Sequence, residues 1–424
     1  MNPGVLLLAA MVLLSVIGMP IAYSIGISTT IAILMSDNCS LMYLPQKMFL
    51  GMNSTALLAI PFFVLAGNIM ARGITQKILK VSNALIGSHK GSFGMVSVVA
   101  SAIFASISGS GSATVAAIGG ITIPGMKKVG YPADFAAAIA SMASTLGPLI
   151  PPSIFLIVYG VASETSIGQL FLAAIIPGVG LALALTLYVW VYARRHNFPS
   201  TEKVSLQVKM KALTDGSFAI LMPILIMGGI FGGICTATEA AALSAVYALV
   251  VSMFIYKTVT IKDLKSILID SSVVSAALLL LTATAKVAGV VIVLADLPNK
   301  LTAWMSTLTS NPYVLLLIIN VFLFIVGMLI EANAAIVMLV PVLLPLVESY
   351  GISPVHFGII FGMNMCLGLV TPPVGVCVLL GSQIGEVSLG GVMRKIAVPL
   401  GIGLVFLLLT TYVPWFTEFL PSLM

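Results

Sequence analysis

Apolar and polar residues fall into long blocks along this chain rather than alternating at short period. Apolar runs cover residues 4–35, 55–71, 92–124, 133–161, 168–193, 217–234, 236–256, 270–295, 312–346, 355–382 and 396–416. A run of about 18 apolar residues or more, wound as a helix, matches the hydrocarbon core of a bilayer. The predicted class is therefore an all-α polytopic membrane protein. The first run holds Pro20 and reads as one bent span or two short ones.

The polar segments between the runs carry a topology signal. Of the 19 Lys and Arg residues, 16 fall in Arg72 to Lys90, Lys127-Lys128, Arg194 to Lys211, Lys257 to Lys265 and Arg394-Lys395. Such clustering marks cytoplasmic loops. Two of these loops flank the run 92–124, so both of its ends lie on one side, and a re-entrant helical hairpin satisfies that where a single crossing does not. Its middle, SISGSGSAT (106–114), is small and polar. Irregular backbone of this kind is tolerated at membrane depth only when it is buried in protein or lines a wet cavity. The run 312–346 has no flanking cations and reads as a second hairpin, entering from the opposite face, with GMLIEANAA (327–335) at its tip.

Each predicted hairpin is followed by a run interrupted by two prolines: LGPLIPPSI (146–154) and LGLVTPPVG (367–375). Proline removes a helix hydrogen bond and clashes with the preceding turn, so each run should be a broken helix. Gly147 and Gly368, Pro151 and Pro372, and Pro152 and Pro373 all stand 221 residues apart; Pro124 and Pro345, and Gly130 and Gly351, share that offset. Residues 1–195 and 217–424 thus read as inverted repeats joined by a cytoplasmic linker, 196–216. Broken helices in inverted repeats point to the binding site of a secondary transporter.

Composition narrows the class further. The 424 residues are 60% hydrophobic and 8% charged, against about 25% charged in soluble domains. The formal charge of +6 follows from the basic loops and signals topology, not nucleic acid. Residues 1–18 lack a basic start, so no cleavable signal peptide is expected. Cys39, Cys235, Cys366 and Cys377 are scattered without ligand spacing and read as small buried residues.

A broken helix exposes carbonyls at one half-helix end and N–H groups at the next. Carbonyls and hydroxyls are hard oxygen ligands, and half-helix C-termini add a favourable dipole. One Na⁺ site is expected between the first hairpin tip (Ser106, Ser108, Ser110) and the first break (Gly147, Ile150, Pro152). The offset puts a second among Gly327, Gly368, Thr371 and Val374. The structural alternative is that these small residues only permit close helix packing.

Charges within apolar runs are the next candidates. Glu331 and Asn333 at the second tip either shape the cation or substrate region or hydrogen-bond their own backbone. Lys286 has three readings: contact with an anionic substrate, an ion pair with Asp296 or another acid, or contact with a partner subunit. Glu239 reads as a first-turn acid complementing its helix dipole, and His356 as an interfacial residue. The run SGSGS lacks the Lys-Ser/Thr ending of a P-loop and a membrane-embedded His partner, which argues against an enzyme.

Several stretches together resemble the large membrane subunit, DctM-like, of tripartite ATP-independent periplasmic (TRAP) transporters. They are AIPFFVLAGNIM (59–70), SISGSGSATVAAIG (106–119), GYPADFAAAIASMASTLGPLIPPSI (130–154), IPGVG (176–180), GICTATEAAALSAVYAL (233–249) and GLVTPPVGV (368–376). The resemblance covers nearly the whole chain. It implies a bacterial inner-membrane, Na⁺-driven importer of an organic acid such as a C4-dicarboxylate, sialic acid, a keto acid or a sugar acid. It also implies a periplasmic substrate-binding protein, a separate small four-helix membrane subunit, and an elevator mechanism in which hairpins and broken helices move against a lipid-embedded scaffold. Cation positions of the family map onto the residues named above. One departure is visible: many members carry an aspartate where this chain reads Glu331-Ala332-Asn333. Two competitors remain at this point, a self-sufficient Na⁺/dicarboxylate-type symporter and an intramembrane enzyme.

Overall fold

A computed structural model describes residues 2–36, 40–198 and 205–423, and every regular element among them is helical. Nine helices among the described residues are long and apolar enough to cross a membrane. Residues 4–35 form two helices, Pro3–Val16 and Ile21–Leu34, separated at Gly18 (φ +91°) and Pro20. At 14 residues each they are roughly 21 Å long, short of the ~30 Å core, and they pack against each other. Of the four cysteines, Cys366 and Cys377 are buried and Cys235 is half-buried, all as free thiols; Cys39 lies outside the described residues.

The run 92–124 is a helix–turn–helix. Helix Ser92–Ser108 ends at Gly109, which takes the left-handed conformation (φ +61°) that a β-carbon would strain. Ser110 then caps the return, its hydroxyl accepting the Ala113 N–H at 3.4 Å. The return continues through a wide turn, Val115–Gly119, into Gly120–Lys128. Most of the incoming arm is buried, as its polar tip requires. The run 312–346 likewise splits into Pro312–Leu329 and Ala332–Ser349, with Ile330 and Glu331 extended between them. Each arm has 18 residues, long enough by itself to cross a membrane.

Both double-proline runs are broken helices. The first comprises Ala133–Ser144, the turn Leu146–Leu149 and Ile154–Ser163; the second comprises Pro354–Gly368 and Val376–Gly385. Pro151-Pro152 and Pro372-Pro373 are both cis. The two broken helices pack half against half. Gly381 lies on Ser141, whose hydroxyl donates to the Cys377 carbonyl at 2.9 Å. At the other end Gly358 and Gly362 make room for the rings of Tyr159 and Phe155.

Around this body stand outer helices. Thr55–Gly73 packs on Ala237–Ile255, and the 34-residue helix Ile261–Leu294 crosses both Ile21–Leu34 and Tyr43–Met52. Two further helices, Thr75–Ile86 and Leu297–Leu308, lie in stretches expected to be loops. Each packs on one hairpin arm, the first on Ser92–Ser108 and the second on Ala332–Ser349. The linker stretch 196–216 is partly helical. Residues 199–204 lie outside the described set, but helix Leu206–Phe231 begins inside 196–216 and carries Lys209 and Lys211.

Candidate functional site

Each hairpin tip is pressed against a break in a helix, backbone on backbone. A β-carbon on Gly147 would lie 2.6 Å from the Ser110 carbonyl and 2.7 Å from the Gly111 nitrogen. Gly109 closes on the same break from the other side, 3.1 Å from the Pro152 carbonyl oxygen on the same construction. The prolines explain the chemistry. In an unbroken helix the carbonyls of Gly147 and Pro148 would accept from residues 151 and 152, which here have no N–H. The Pro148 carbonyl is taken by the Ser153 hydroxyl. Ser108, Ser110 and Thr114 cluster at the tip: the Thr114 hydroxyl donates to the Ser110 carbonyl at 2.7 Å and lies 3.3 Å from the Ser108 hydroxyl. Ser106 donates back to Ile103 at 2.7 Å, and the Ile150 side chain turns toward Gly178.

The second tip repeats this arrangement. A β-carbon on Gly368 would meet the Gly327 carbonyl group at 2.3 Å, and the Val374 N–H donates to the Met328 carbonyl at 3.3 Å. Thr371 donates to Leu367 at 2.7 Å, and the Cys377 N–H takes the Leu369 carbonyl at 3.0 Å. The two sites adjoin, since a β-carbon on Gly111 would contact both the Ser144 carbonyl and the side chain of Leu369.

One residue that sequence reasoning passed over stands beside the second tip. Asn364 lies four residues before Gly368, and its own carbonyl would be 3.2 Å from a β-carbon on Gly327. Its amide nitrogen donates to Asn320 Oδ1 at 2.7 Å and to the Ile360 carbonyl at 2.9 Å, while its Oδ1 is buried without a partner. Asn320 in turn donates to Thr411 at 3.0 Å. The signal was available: an amide in FGMNMCLG, a fully apolar stretch, needs a reason to be there.

The charged and titratable candidates have other partners. Glu331 is the N-cap of its helix, accepting the Ala334 N–H at 3.1 Å and the Asn333 amide at 2.8 Å, so its bonds stay within the tip. Lys286 stands on the outer helix Ile261–Leu294, 3.5 Å from Glu164, while Asp296 binds Asn299 instead. Glu239 forms a capping box with Thr236. His356 is buried, not interfacial, held between Thr417 at 2.6 Å and the Thr411 carbonyl at 3.2 Å. The oxygens at the two tips are therefore hydroxyl and carbonyl groups, with no cluster of three His, Cys, Asp or Glu among the described residues. Such neutral, hard oxygens suit an alkali cation better than a transition metal.

Residues 8–416 match the family described as "Tripartite ATP-independent periplasmic transporter, DctM component". The chain is 38% identical to the C4-dicarboxylate TRAP transporter large permease protein DctM of Pseudomonas aeruginosa, over 94% of each chain. The chain belongs to the DctM family of TRAP large permeases. Another relative is the isethionate TRAP transporter permease protein DctMQ of Oleidesulfovibrio alaskensis, 36% identical over 97% of this chain and 65% of that protein. The fold is shared with the crystal structure of the Alcanivorax borkumensis YdaH transporter, at a TM-score of 0.65, 18% identity and 98% coverage of both chains. DctM members are multi-pass transporter permeases, not enzymes, so the serine-nucleophile reading of SGSGS is discarded.

Proposed function

We propose that this chain is the Na⁺-coupled, translocating subunit that imports a small organic anion across the bacterial inner membrane. The observation that carries this reading is the paired closure of Gly147 on Ser110 and of Gly368 on Gly327, 221 residues apart. The first closure puts the Gly147 carbonyl, which has lost its helical donor at Pro151, beside a hairpin tip; at the second the Gly368 carbonyl takes the Thr371 N–H at 3.1 Å and offers a cation its remaining lone pair. Ser108, Ser110, Gly147, Ile150 and Pro152, with Ser106 behind them, would hold one Na⁺. Gly327, Gly368, Thr371 and Val374 would hold the second, with the orphaned Oδ1 of Asn364 as a further donor. When bound, the cations supply positive charge beside the tips, where an anionic substrate would be neutralised. The tips and broken helices would move as one body against the outer helices, in the manner of an elevator, with both hairpins re-entrant. A periplasmic binding protein would deliver the substrate and a small membrane subunit would brace the outer helices.

The test is uptake into proteoliposomes holding this chain, its small subunit and its cognate binding protein. An inward Na⁺ gradient should drive uptake, and Gly147→Ala should abolish the Na⁺ dependence. Uptake equally fast in K⁺ would overturn Na⁺ coupling. Uptake by the chain alone would favour a self-sufficient symporter.

A further inference from the structure

A cleft of about 900 Å³ separates the broken-helix body from the outer helices. It lies away from the two tips, at the start of Thr55–Gly73, Ala237–Val250 and Ile167–Arg195. The other ends of the first and last of these carry Arg72 and Arg194-Arg195, and Lys257 follows the remaining one, so the cleft opens on the face opposite the basic loops, the periplasmic face.

Three charged side chains line the cleft: Lys286, Glu164 and Glu239. Glu239 is committed, accepting both the Thr236 N–H (2.8 Å) and hydroxyl (2.9 Å), and it sits on the positive end of its helix. Lys286 lies eight residues before the end of Ile261–Leu294, roughly 12 Å down an otherwise apolar outer half of the helix. A lysine at that depth is costly unless paired or wet. Room is made for its stem by Gly51, where a β-carbon would sit 3.0 Å from Lys286 Cβ and Cγ. Its ammonium meets Glu164 at 3.5 Å, with the two side chains 40% and 83% exposed, so the pair is solvated and exchangeable.

The acid is the telling partner. Glu164 ends the first broken helix in the left-handed conformation (φ +57°), and Glu386 ends the second in the same way (φ +55°). Glu386 is held within the body by Lys127 of the first hairpin at 3.4 Å. The position equivalent to Lys127 in the second hairpin is Glu348, an acid that cannot pair with Glu164. Glu164 is thus left to a cation on the outer helices.

We propose that Lys286 is an anion-receiving site of the periplasmic cleft, with Glu164 as a resident counter-ion that an incoming carboxylate or sulfonate displaces. The three helix N-termini opening on the cleft add to the positive potential there. The proposal rests on the transport reading for the source of the anion, but its test needs no transport. Cys235 lines the same cleft and is a ready reporter.

In zwitterionic-lipid nanodiscs, with Cys39 replaced by Ser, Cys235 is labelled by 2-sulfonatoethyl methanethiosulfonate or its trimethylammonium counterpart. The first carries the sulfonatoethyl group of isethionate. Ser54→Cys, with Cys235→Ser, repeats the measurement on another wall of the cleft. At about 0.01 M salt, Lys286→Gln should lower the anionic-to-cationic rate ratio by about fivefold or more, Glu164→Gln should raise it, and Lys286→Arg should keep it. Succinate should slow anionic labelling in the parent and not in Lys286→Gln; because the nanodiscs hold no anionic lipid, such competition identifies a soluble anion. An unchanged ratio in Lys286→Gln, or thiols that react with neither reagent, overturns the proposal. Absence of Na⁺-driven uptake would instead overturn the transport reading and leave these ratios as they are.

Discussion

At Gly147, no flexible side chain stands ready to yield: an added β-carbon meets the Ser110 backbone at 2.6 Å. Gly147→Ala must therefore separate tip from break. Na⁺-driven uptake should fall by about tenfold or more, the equivalent of roughly 1.4 kcal/mol, with the protein still monodisperse in detergent. Asn364→Ala tests the orphaned amide oxygen. It leaves Asn320 Oδ1 without its donor, a cost of about 1–3 kcal/mol visible as a lower thermal midpoint. It should also raise the Na⁺ concentration for half-maximal uptake, and Asn364→Asp should restore more of that affinity than of the stability. An unchanged Na⁺ dependence in both would remove Asn364 from the site. Gly147 and Gly368 were legible because they recur at one offset, whereas Asn364 was not, because its counterpart at that offset is Ala143.

Among the elements, the broken helices carry the consequence of the double prolines. Pro151→Ala would return an N–H to the position that faces the Gly147 carbonyl. That carbonyl would then be spent inside the helix, and Na⁺ dependence of uptake should weaken while folding is preserved; full Na⁺ affinity in Pro151→Ala would show that the freed carbonyl is not used. Gly120, on the returning arm, supplies the contrast: it is helical with nothing within 4 Å of an added β-carbon. Gly120→Ala should leave uptake unchanged and stabilise the protein by about 0.5–1 kcal/mol, read as a raised thermal midpoint. Helices Thr75–Ile86 and Leu297–Leu308 escaped sequence reading because they are amphipathic and short, with polar faces that look like loops in a hydropathy profile.

Across the whole molecule, the proposed Na⁺ coupling is a matter of charge. Two Na⁺ carried with a monoanion move net positive charge inward, worth roughly 2.3 kcal/mol per elementary charge per 100 mV. An inside-negative K⁺ diffusion potential should therefore accelerate uptake of a monoanion by this chain with its partners. It should accelerate uptake of a dianion far less, because two Na⁺ and a dianion are neutral together. Rates indifferent to potential for both substrates would reject the two-cation stoichiometry. For the proposed sliding of the body past the outer helices, the solvated Lys286–Glu164 pair is weak enough to exchange.

Hydropathy blocks, basic loops and two double prolines at a common spacing were enough to derive an all-helical membrane chain, its hairpins and its breaks, because each follows from local chemistry: lipid demands apolar helices, and proline withholds a hydrogen-bond donor. Which atoms meet was decided only by tertiary packing. The closure of each tip on its break, the orphaned Asn364 oxygen, the burial of His356 and the pairing of Lys286 with Glu164 all join residues distant in the chain. No local propensity encodes such contacts; the tip closures exist because two broken helices must bury their exposed backbone against something, and the hairpin tips are what fits.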